Sequence, residues 1–377
     1  DHDDNDERFE FFNRAVLELL KVVDFRPDII HLHDWQSALI PVFLRTSYGA
    51  DPFFADTRTV LTIHNLAYQG QFPPEKFAGL GLPSEWFAPA SGAFEFWGKV
   101  NFLKAGIVTS DKITTVSRQY ATEIQTPEFG AGLDGVLRSR AEDIHGIING
   151  VDYTVWSPSR DKKIRYTYHP ANLSGKRMNK VELLNRAGLP IRDSAPLIGI
   201  ISRLVDQKGW DLIAEAADEI FAMNVQLIVL GTGEQRYQDL LNRLQEKYPD
   251  RCRAYLTFDD GLAHMIEASA DMFLMPSQFE PCGLNQMYSL KYGTVPIVRR
   301  VGGLADTVID YNESTCEGTG FVFDEYSAQA MLTAIRRAVR LFDRKRAWTG
   351  VMKAGMKQDF SWQYTAEQYA ALFGQLR

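Results

Sequence analysis

The residues best suited to chemistry stand just past short apolar runs, where a strand hands over to a loop. Glu280 lies in Ser277-Gln-Phe-Glu-Pro-Cys-Gly-Leu-Asn-Gln286, after Met272-Phe-Leu-Met275 and before Met287-Tyr-Ser-Leu-Lys291, which reads as a helix. In an open α/β sheet, ligands bind at the carboxyl ends of the strands, and the following helix offers free backbone N–H groups to an anion. A carboxylate beside Gly283 at such an end is placed for catalysis; the competing reading is a first-turn charge favoured by the helix dipole. Arg203 and Lys208 share the loop Ser202-Arg-Leu-Val-Asp-Gln-Lys-Gly209, ahead of a helix that starts near Trp210. A guanidinium fork, an ammonium and free N–H groups there would hold a pyrophosphate, whereas a solvated basic loop would need no ligand. His33, Asp34 and Trp35 follow the apolar residues 29–32, and His64 follows 59–63. Two consecutive strands thus deliver imidazoles and a carboxylate to one rim. A lone His is more often a hydrogen-bonded structural residue, so the repeated position is what favours function.

Positioning these groups requires two sheets. In the first part of the chain, Phe9, Phe12, Val16, Leu19, Leu20 and Val23 recur at helical spacing over 8–23. Strands are expected at 29–32, 59–63, 112–116 and 143–148, a helix at 98–107, and Ser117 as a helix N-cap. Residues 69–92, punctuated by Pro and Gly, read as loop and short helices with a binding or lid role. Periodicity fades between Tyr153 and about Lys176. The organisation expected is therefore an N-terminal α/β domain over 1–155, a connection over 156–176, a second α/β domain over 177–355 and a terminal helical segment over 356–377. Strands of the second domain are expected at 197–201, 226–230, 254–257, 271–275, 295–298 and 320–323, with closing helices at 328–342 and 365–376. Nearly all these strands are apolar throughout and alternate with helices, as in a parallel sheet buried on both faces.

Three glycine-bearing or aromatic positions stay open on residue type alone. Gly231-Thr-Gly233 suggests a dinucleotide fingerprint, but Arg236 stands where the third glycine belongs and the strand is not the first of its domain. Phe258 could stack on a base or belong to the core. Gly302-Gly303 permits close backbone approach to a ligand or makes a plain tight turn.

Composition narrows the classes. The chain has 377 residues, 45% of them apolar and 24% charged, with a net charge of −7. That size accommodates two cores, and that charge disfavours a nucleic-acid or anionic-membrane surface. No apolar run approaches a membrane span, and no targeting segment is evident. Three widely spaced cysteines, Cys252, Cys282 and Cys316, fit neither a disulfide framework nor a zinc cluster, so a reducing cytoplasm is the expected compartment. The sequence opens at Asp1 without a Met, and the natural start is expected upstream.

Arg203-Leu-Val-Asp-Gln-Lys-Gly209, Glu280-Pro-Cys-Gly-Leu-Asn-Gln286, Lys291-Tyr-Gly-Thr-Val-Pro296, Thr62-Ile-His-Asn-Leu-Ala-Tyr-Gln-Gly70 and Asn149-Gly-Val-Asp152 occur together and in order. In these motifs the chain resembles the bacterial glycogen synthases and plant starch synthases over essentially its whole length. The resemblance implies a GT-B architecture, two Rossmann-like domains facing a cleft, with the last helix returning to the first domain. It implies glucose transfer from ADP-glucose to the 4-hydroxyl at the non-reducing end of an α-1,4-glucan, with retention and without a metal or other cofactor. Arg203 and Lys208 would grip the donor pyrophosphate and Glu280 would contact the glucose near its anomeric end. Backbone amides around Cys282, Gly283 and Leu284 would hold sugar hydroxyls, His64 would lie near the donor glucose, and Phe258 would stack on adenine. Asp34, Trp35 and Asn149 would line the acceptor side.

Two departures stand out. Tyr288 occupies a position that carries a second Glu in many related retaining transferases, which favours glycogen synthases within the wider clan. The family's opening strand and Lys-x-Gly-Gly-Leu loop are not found before Asp1, so the first domain is expected to be incomplete and the chain as given to have little activity. Alternatives are another retaining GT-B transferase, a non-catalytic glucan- or nucleotide-binding module, and an NAD-dependent enzyme, the last disfavoured by the broken glycine pattern.

Overall fold

The computed structural model describes residues 2–88 and 92–376. They form two compact α/β units. Unit 1 comprises the chain up to Ile148 together with the residues from Ala366 onward, and unit 2 runs from Asn149 to Thr365.

Unit 1 is built on a parallel sheet of β1 (Ile29–His33), β2 (Arg58–Ile63), β6 (Lys112–Thr115) and β7 (Ile144–Gly146), in the order β1-β2-β6-β7. Between them β3 (Gln71–Phe72), β4 (Glu95–Phe96) and β5 (Lys99–Asn101) form a small antiparallel sheet. The helix expected over 98–107 is thus split: Lys99–Asn101 pairs as strand, and the helix is Phe102–Thr109. Asn101 sets this boundary, because its side chain accepts from the Lys104 amide at 2.9 Å and caps the first turn. Ser117 does cap a helix, accepting from Tyr120 N at 3.0 Å. Helix Asn5–Val22 buries Leu17 but leaves Phe11, Leu19 and Val22 exposed. The terminal helix, Trp362–Gly374, places Leu372 against Val60 and Ile147 in the unit 1 core.

Unit 2 carries β8 (Leu197–Ile201), β9 (Gln226–Leu230), β10 (Cys252–Tyr255), β11 (Met272–Met275), β12 (Val295–Arg299) and β13 (Phe321–Phe323). They form one parallel sheet in the order β10-β9-β8-β11-β12-β13, the strand order reversing beside β8 as in doubly wound folds. Helices cover both faces, which is why these strands are apolar throughout: Ile198 and Ile200 enter one core, Leu197 and Ile228 the other. A helix at Lys345–Met356, not anticipated from periodicity, packs Trp348 and Val351 into the larger core.

The segment 156–176, expected as the connection between the domains, falls within unit 2 and packs into it. Tyr168 is buried and donates to Tyr292 O at 2.8 Å, and Asp161 is buried between His264 Nδ1 at 2.8 Å and the Tyr292 hydroxyl at 2.5 Å. Its mixed charges hid these anchors, since a buried hydrogen-bonded carboxylate and a solvated one look alike in sequence. Among the described residues, no helix is long and apolar enough to cross a membrane.

Candidate functional site

β8 and β11 are neighbours, so the loops leaving their carboxyl ends meet. Gln278 N donates to Gln207 O at 2.9 Å, and Gln207 Nε2 donates to Phe279 O at 3.3 Å. Contact this close depends on Gly209, which has φ +76°; a Cβ there would lie 2.1 Å from Pro276 O. The result is that Lys208 Nζ sits 2.6 Å from Glu280 Oε2, and Ser277 Oγ donates to the same oxygen at 3.0 Å. Glu280 is only 6% exposed. A carboxylate so buried demands such partners. Lys208, Glu280, Gly283 and Leu284 line a cavity of about 290 Å³ whose floor is Ile200, Leu274 and Met275. Asn285 Nδ2 ties its wall to Ile201 O at 2.7 Å. Arg203 is exposed on the same loop, its guanidinium 3.3 Å from Gln207 Oε1.

Glu280 therefore stands on a strand-to-helix loop, and its bond to Lys208 sets it apart from a solvated dipole charge. Helix Asn285–Tyr292 begins directly after Gly283 and Leu284. Gln286, fully buried, donates to Cys282 O at 2.9 Å and Gly283 O at 3.0 Å, fixing the turn from inside. Cys282 faces inward as well. Burial pushes its thiol up to about 12, against hydrogen bonds from the Asn149 amide and side chain. Asn149 thus acts on this loop through sulfur. A thiol held neutral in this way is no nucleophile at ordinary pH.

The other glycines serve packing. A Cβ on Gly303 would lie 1.9 Å from Cys282 O, and Gly303 N donates to Glu280 O at 3.0 Å. The close approach foreseen for Gly302-Gly303 is to the chain's own loop at 280–282. A Cβ on Gly231 would lie 1.9 Å from Ser202 O and one on Gly233 2.4 Å from Leu204 O. These two glycines let the loop after β9 press on the loop that holds Arg203, which accounts for them without a dinucleotide. Phe258, on the loop after β10, is 89% exposed, so it is not core. Tyr288 lies flat against Trp156, ring centroids 3.9 Å apart, and Trp156 also stacks on His264 at 3.6 Å.

In unit 1, β1 and β2 pair in register with His33 opposite Thr62. His33 Nδ1 lies 3.0 Å from His64 Nε2, and His31 Nε2 lies 2.7 Å from Thr62 Oγ1. Burial lowers His33, with His64 adding to the effect, and holds His31 down at about 4. Asp34, at φ 54°, accepts from His64 N at 2.7 Å. Burial raises its carboxyl, opposed by backbone hydrogen bonds from His64 and Asn65. Asp34 therefore holds the turn that presents His64. Trp35 packs edge-on against Phe9 at 4.8 Å and Phe72 at 5.8 Å, with Gly70 beneath its ring.

Ser277, Gln286 and the His33 bond to His64 escaped the sequence reading as parts of the site. His33 was expected on the same rim as His64, but the bond between the two rings was not. Ser277 and Gln286 find their partners through loop closure.

Residues 1–139 match the family described as the starch synthase catalytic domain, and residues 182–349 match glycosyl transferases group 1. The chain is 52% identical over 373 residues to a glycogen synthase of Anaeromyxobacter dehalogenans (strain 2CP-C), covering 99% of this chain and 78% of that protein. It is 48% identical over 364 residues to a glycogen synthase of Thermotoga maritima, covering 96% and 74%. The catalytic domain of starch synthase IV from Arabidopsis thaliana, solved with ADP and acarbose, superposes with a TM-score of 0.92 at 34% identity, covering 100% of this chain and 78% of that one. A sucrose-phosphate synthase from Thermosynechococcus elongatus shares the fold at a TM-score of 0.63 and 18% identity, covering 98% and 78%. The chain belongs to the glycogen synthase and starch synthase family of glycosyltransferases, built on the GT-B fold.

Proposed function

We propose that the chain is a glycogen synthase that transfers glucose from ADP-glucose to the 4-hydroxyl at the non-reducing end of an α-1,4-glucan, with retention at the anomeric carbon. The observation that carries this reading is the Lys208 and Glu280 pair, 2.6 Å apart beside a cavity at the carboxyl edge of a parallel sheet. Breaking a sugar-phosphate bond leaves negative charge on the departing diphosphate and positive charge at the anomeric carbon. An ammonium and a carboxylate fixed in contact answer both charges without reorganising. Lys208, with Arg203 on the same loop, takes the diphosphate; Glu280 takes the sugar near its anomeric end. Amides around Cys282, Gly283 and Leu284 meet the sugar hydroxyls, and exposed Phe258 offers adenine a face to stack on. The ADP bound to the plant relative supports an adenine nucleotide as leaving group. His64 is assigned to the donor glucose, held by Asp34 and His33, and Trp35 and Asn149 with Asp34 to the acceptor side.

The test is incorporation of labelled glucose into glycogen from ADP-glucose and, separately, UDP-glucose, by this chain and by a form extended upstream of Asp1. Incorporation from ADP-glucose that is lost in Glu280→Gln is the expected result. ADP binding without incorporation by either form would instead identify a nucleotide-binding module.

A further inference from the structure

Unit 2 has a second cavity, at the amino edge of its sheet, where Ser269 and Asp271 lead into β11. Helix Ser174–Ala187, helix Lys345–Met356 and Phe342 at the end of helix Ala328–Phe342 enclose about 460 Å³ there. β11 spans four residues. At about 3.3 Å per residue, roughly 13 Å of strand separates this cavity from the loop that carries Glu280. We propose that it binds a small phosphate-bearing anion, either orthophosphate or a phosphate monoester.

Charge is the first argument. Lys176, Arg177, Lys180 and Lys345 line the cavity against Asp193 and Asp271, four cations to two carboxylates. Lys180 is matched to Asp271 at 2.6 Å and Arg177 to Asp193 at 3.0 Å. Lys345 has no carboxylate partner among the described residues; its ammonium lies 3.5 Å from the centroid of the Phe342 ring. Lys176 is buried and donates to Thr294 Oγ1 at 2.6 Å. Burial draws it down to about 7, with Lys180 pulling the same way and Asp271 and Glu267 opposing. An anion in the cavity would favour its charged form.

The second argument is an orphan. Ser269 lines the cavity, is 1% exposed, and its Oγ has no hydrogen-bond partner among the described residues. A buried hydroxyl left unmatched is costly, and a phosphate oxygen would satisfy it. Third, the first turn of helix Lys345–Met356 has no capping side chain, so the amide end of a 12-residue helix adds positive potential where Lys345, Trp348 and Thr349 line the wall. Leu173, Trp348 and Met352 give the rest of the wall an apolar character that suits the carbon body of an ester.

Isothermal titration of the full chain with orthophosphate, with glycerol 3-phosphate and with glycerol tests this, in the wild type and in Lys345→Glu, Ser269→Ala and Lys208→Ala. Lys345 is exposed, so its exchange leaves the core alone. Expected is one saturable phosphate-dependent site that survives Lys208→Ala, weakens at least ten-fold in Lys345→Glu and several-fold in Ser269→Ala, and ignores glycerol. Tighter binding of glycerol 3-phosphate than of orthophosphate would assign the ester; equal binding would assign the phosphate alone. No saturable binding in the wild type, or binding that Lys345→Glu leaves intact, overturns the proposal. So does binding abolished by Lys208→Ala, which would place the anion at the other edge of the sheet.

Discussion

Lys208 and Glu280 are each other's condition for being buried, and substitutions should show it. Glu280→Gln keeps the shape but removes the charge proposed to act near the anomeric carbon. It is expected to lower kcat by about 10²-fold or more while changing ADP affinity far less, because its effect belongs to the transition state. Lys208→Met leaves buried Glu280 without its cation and with the Ser277 hydroxyl as its remaining side-chain donor, at a cost of about 3 kcal/mol in stability. The double variant should regain much of that loss, since neither charge is then stranded. Urea unfolding of the four proteins measures the coupling, and additive losses would show the pair to be independent. A second residue-scale expectation concerns His33, which bonds His64 ring to ring at 3.0 Å. One ring must donate and the other accept, so His33 selects the tautomer of His64. His33→Ala should lower kcat with little change in KM for ADP-glucose, and His33→Asn, which can still hydrogen-bond, should restore part of it. A KM effect with unchanged kcat would make His33 a binding residue.

At the scale of elements, unit 2 joins helices through a buried polar knot. Glu267 on helix Asp260–Ser269 accepts from Ser289 Oγ at 2.8 Å, while its main-chain oxygen accepts from Thr294 Oγ1 at 2.5 Å. Burial pushes the Glu267 carboxyl from an ordinary 4.5 up to about 8, opposed by Ser289 and Lys176. The sign follows from proton counting: between 4.5 and 8 the unfolded chain has lost this proton and the folded one keeps it, so stability falls as pH rises through that window. Lys176, lowered from 10.5 to about 7, acts oppositely: between 7 and 10.5 the unfolded chain holds the extra proton, and stability rises with pH. Glu267→Gln should therefore flatten the decline between pH 5 and pH 7, by an amount on the order of a few kcal/mol. Denaturant midpoints at the two pH values check this. An undiminished decline in the variant would assign it to other groups.

At the scale of the whole chain, a net charge of −7 means that an anionic donor is drawn by local groups and not by a global field. Every residue assigned to ADP belongs to unit 2, so its stabilising effect should be confined there. At a hundred times Kd, ADP contributes about 2.7 kcal/mol to the state that binds it. Hydrogen exchange should slow at residues 202–209 and 277–286 on adding ADP, with residues 29–34 unchanged. The effect should shrink in Lys208→Ala at the same ADP concentration. Protection spread equally over both units would contradict the assignment.

Much of this molecule was legible before folding. Apolar runs bounded by Gly, Pro and polar residues marked most strands of the unit 2 sheet, because a strand buried on two faces has few polar positions to hide it. Leu197–Ile201 and Gln226–Leu230 fall where expected. Residues just past those runs stood out as site candidates, because strand ends are where a parallel sheet exposes backbone to a ligand, and Glu280, Lys208 and His64 do lie on the loops that leave β11, β8 and β2. What required tertiary structure was pairing. Lys208 reaches Glu280 from 72 positions away, a contact created by the adjacency of β8 and β11 and the absence of a Cβ at Gly209. Gly231 and Gly233, which suggested a cofactor, proved to be spacers between loops, since close backbone approach selects glycine whether the neighbour is a ligand or the chain itself. The segment 156–176 looked like a linker because its anchors, Asp161 and Lys176, are charged residues whose partners lie about a hundred positions on. Charge in a sequence reports solvation only when no distant partner takes the place of water, and that is decided by the fold.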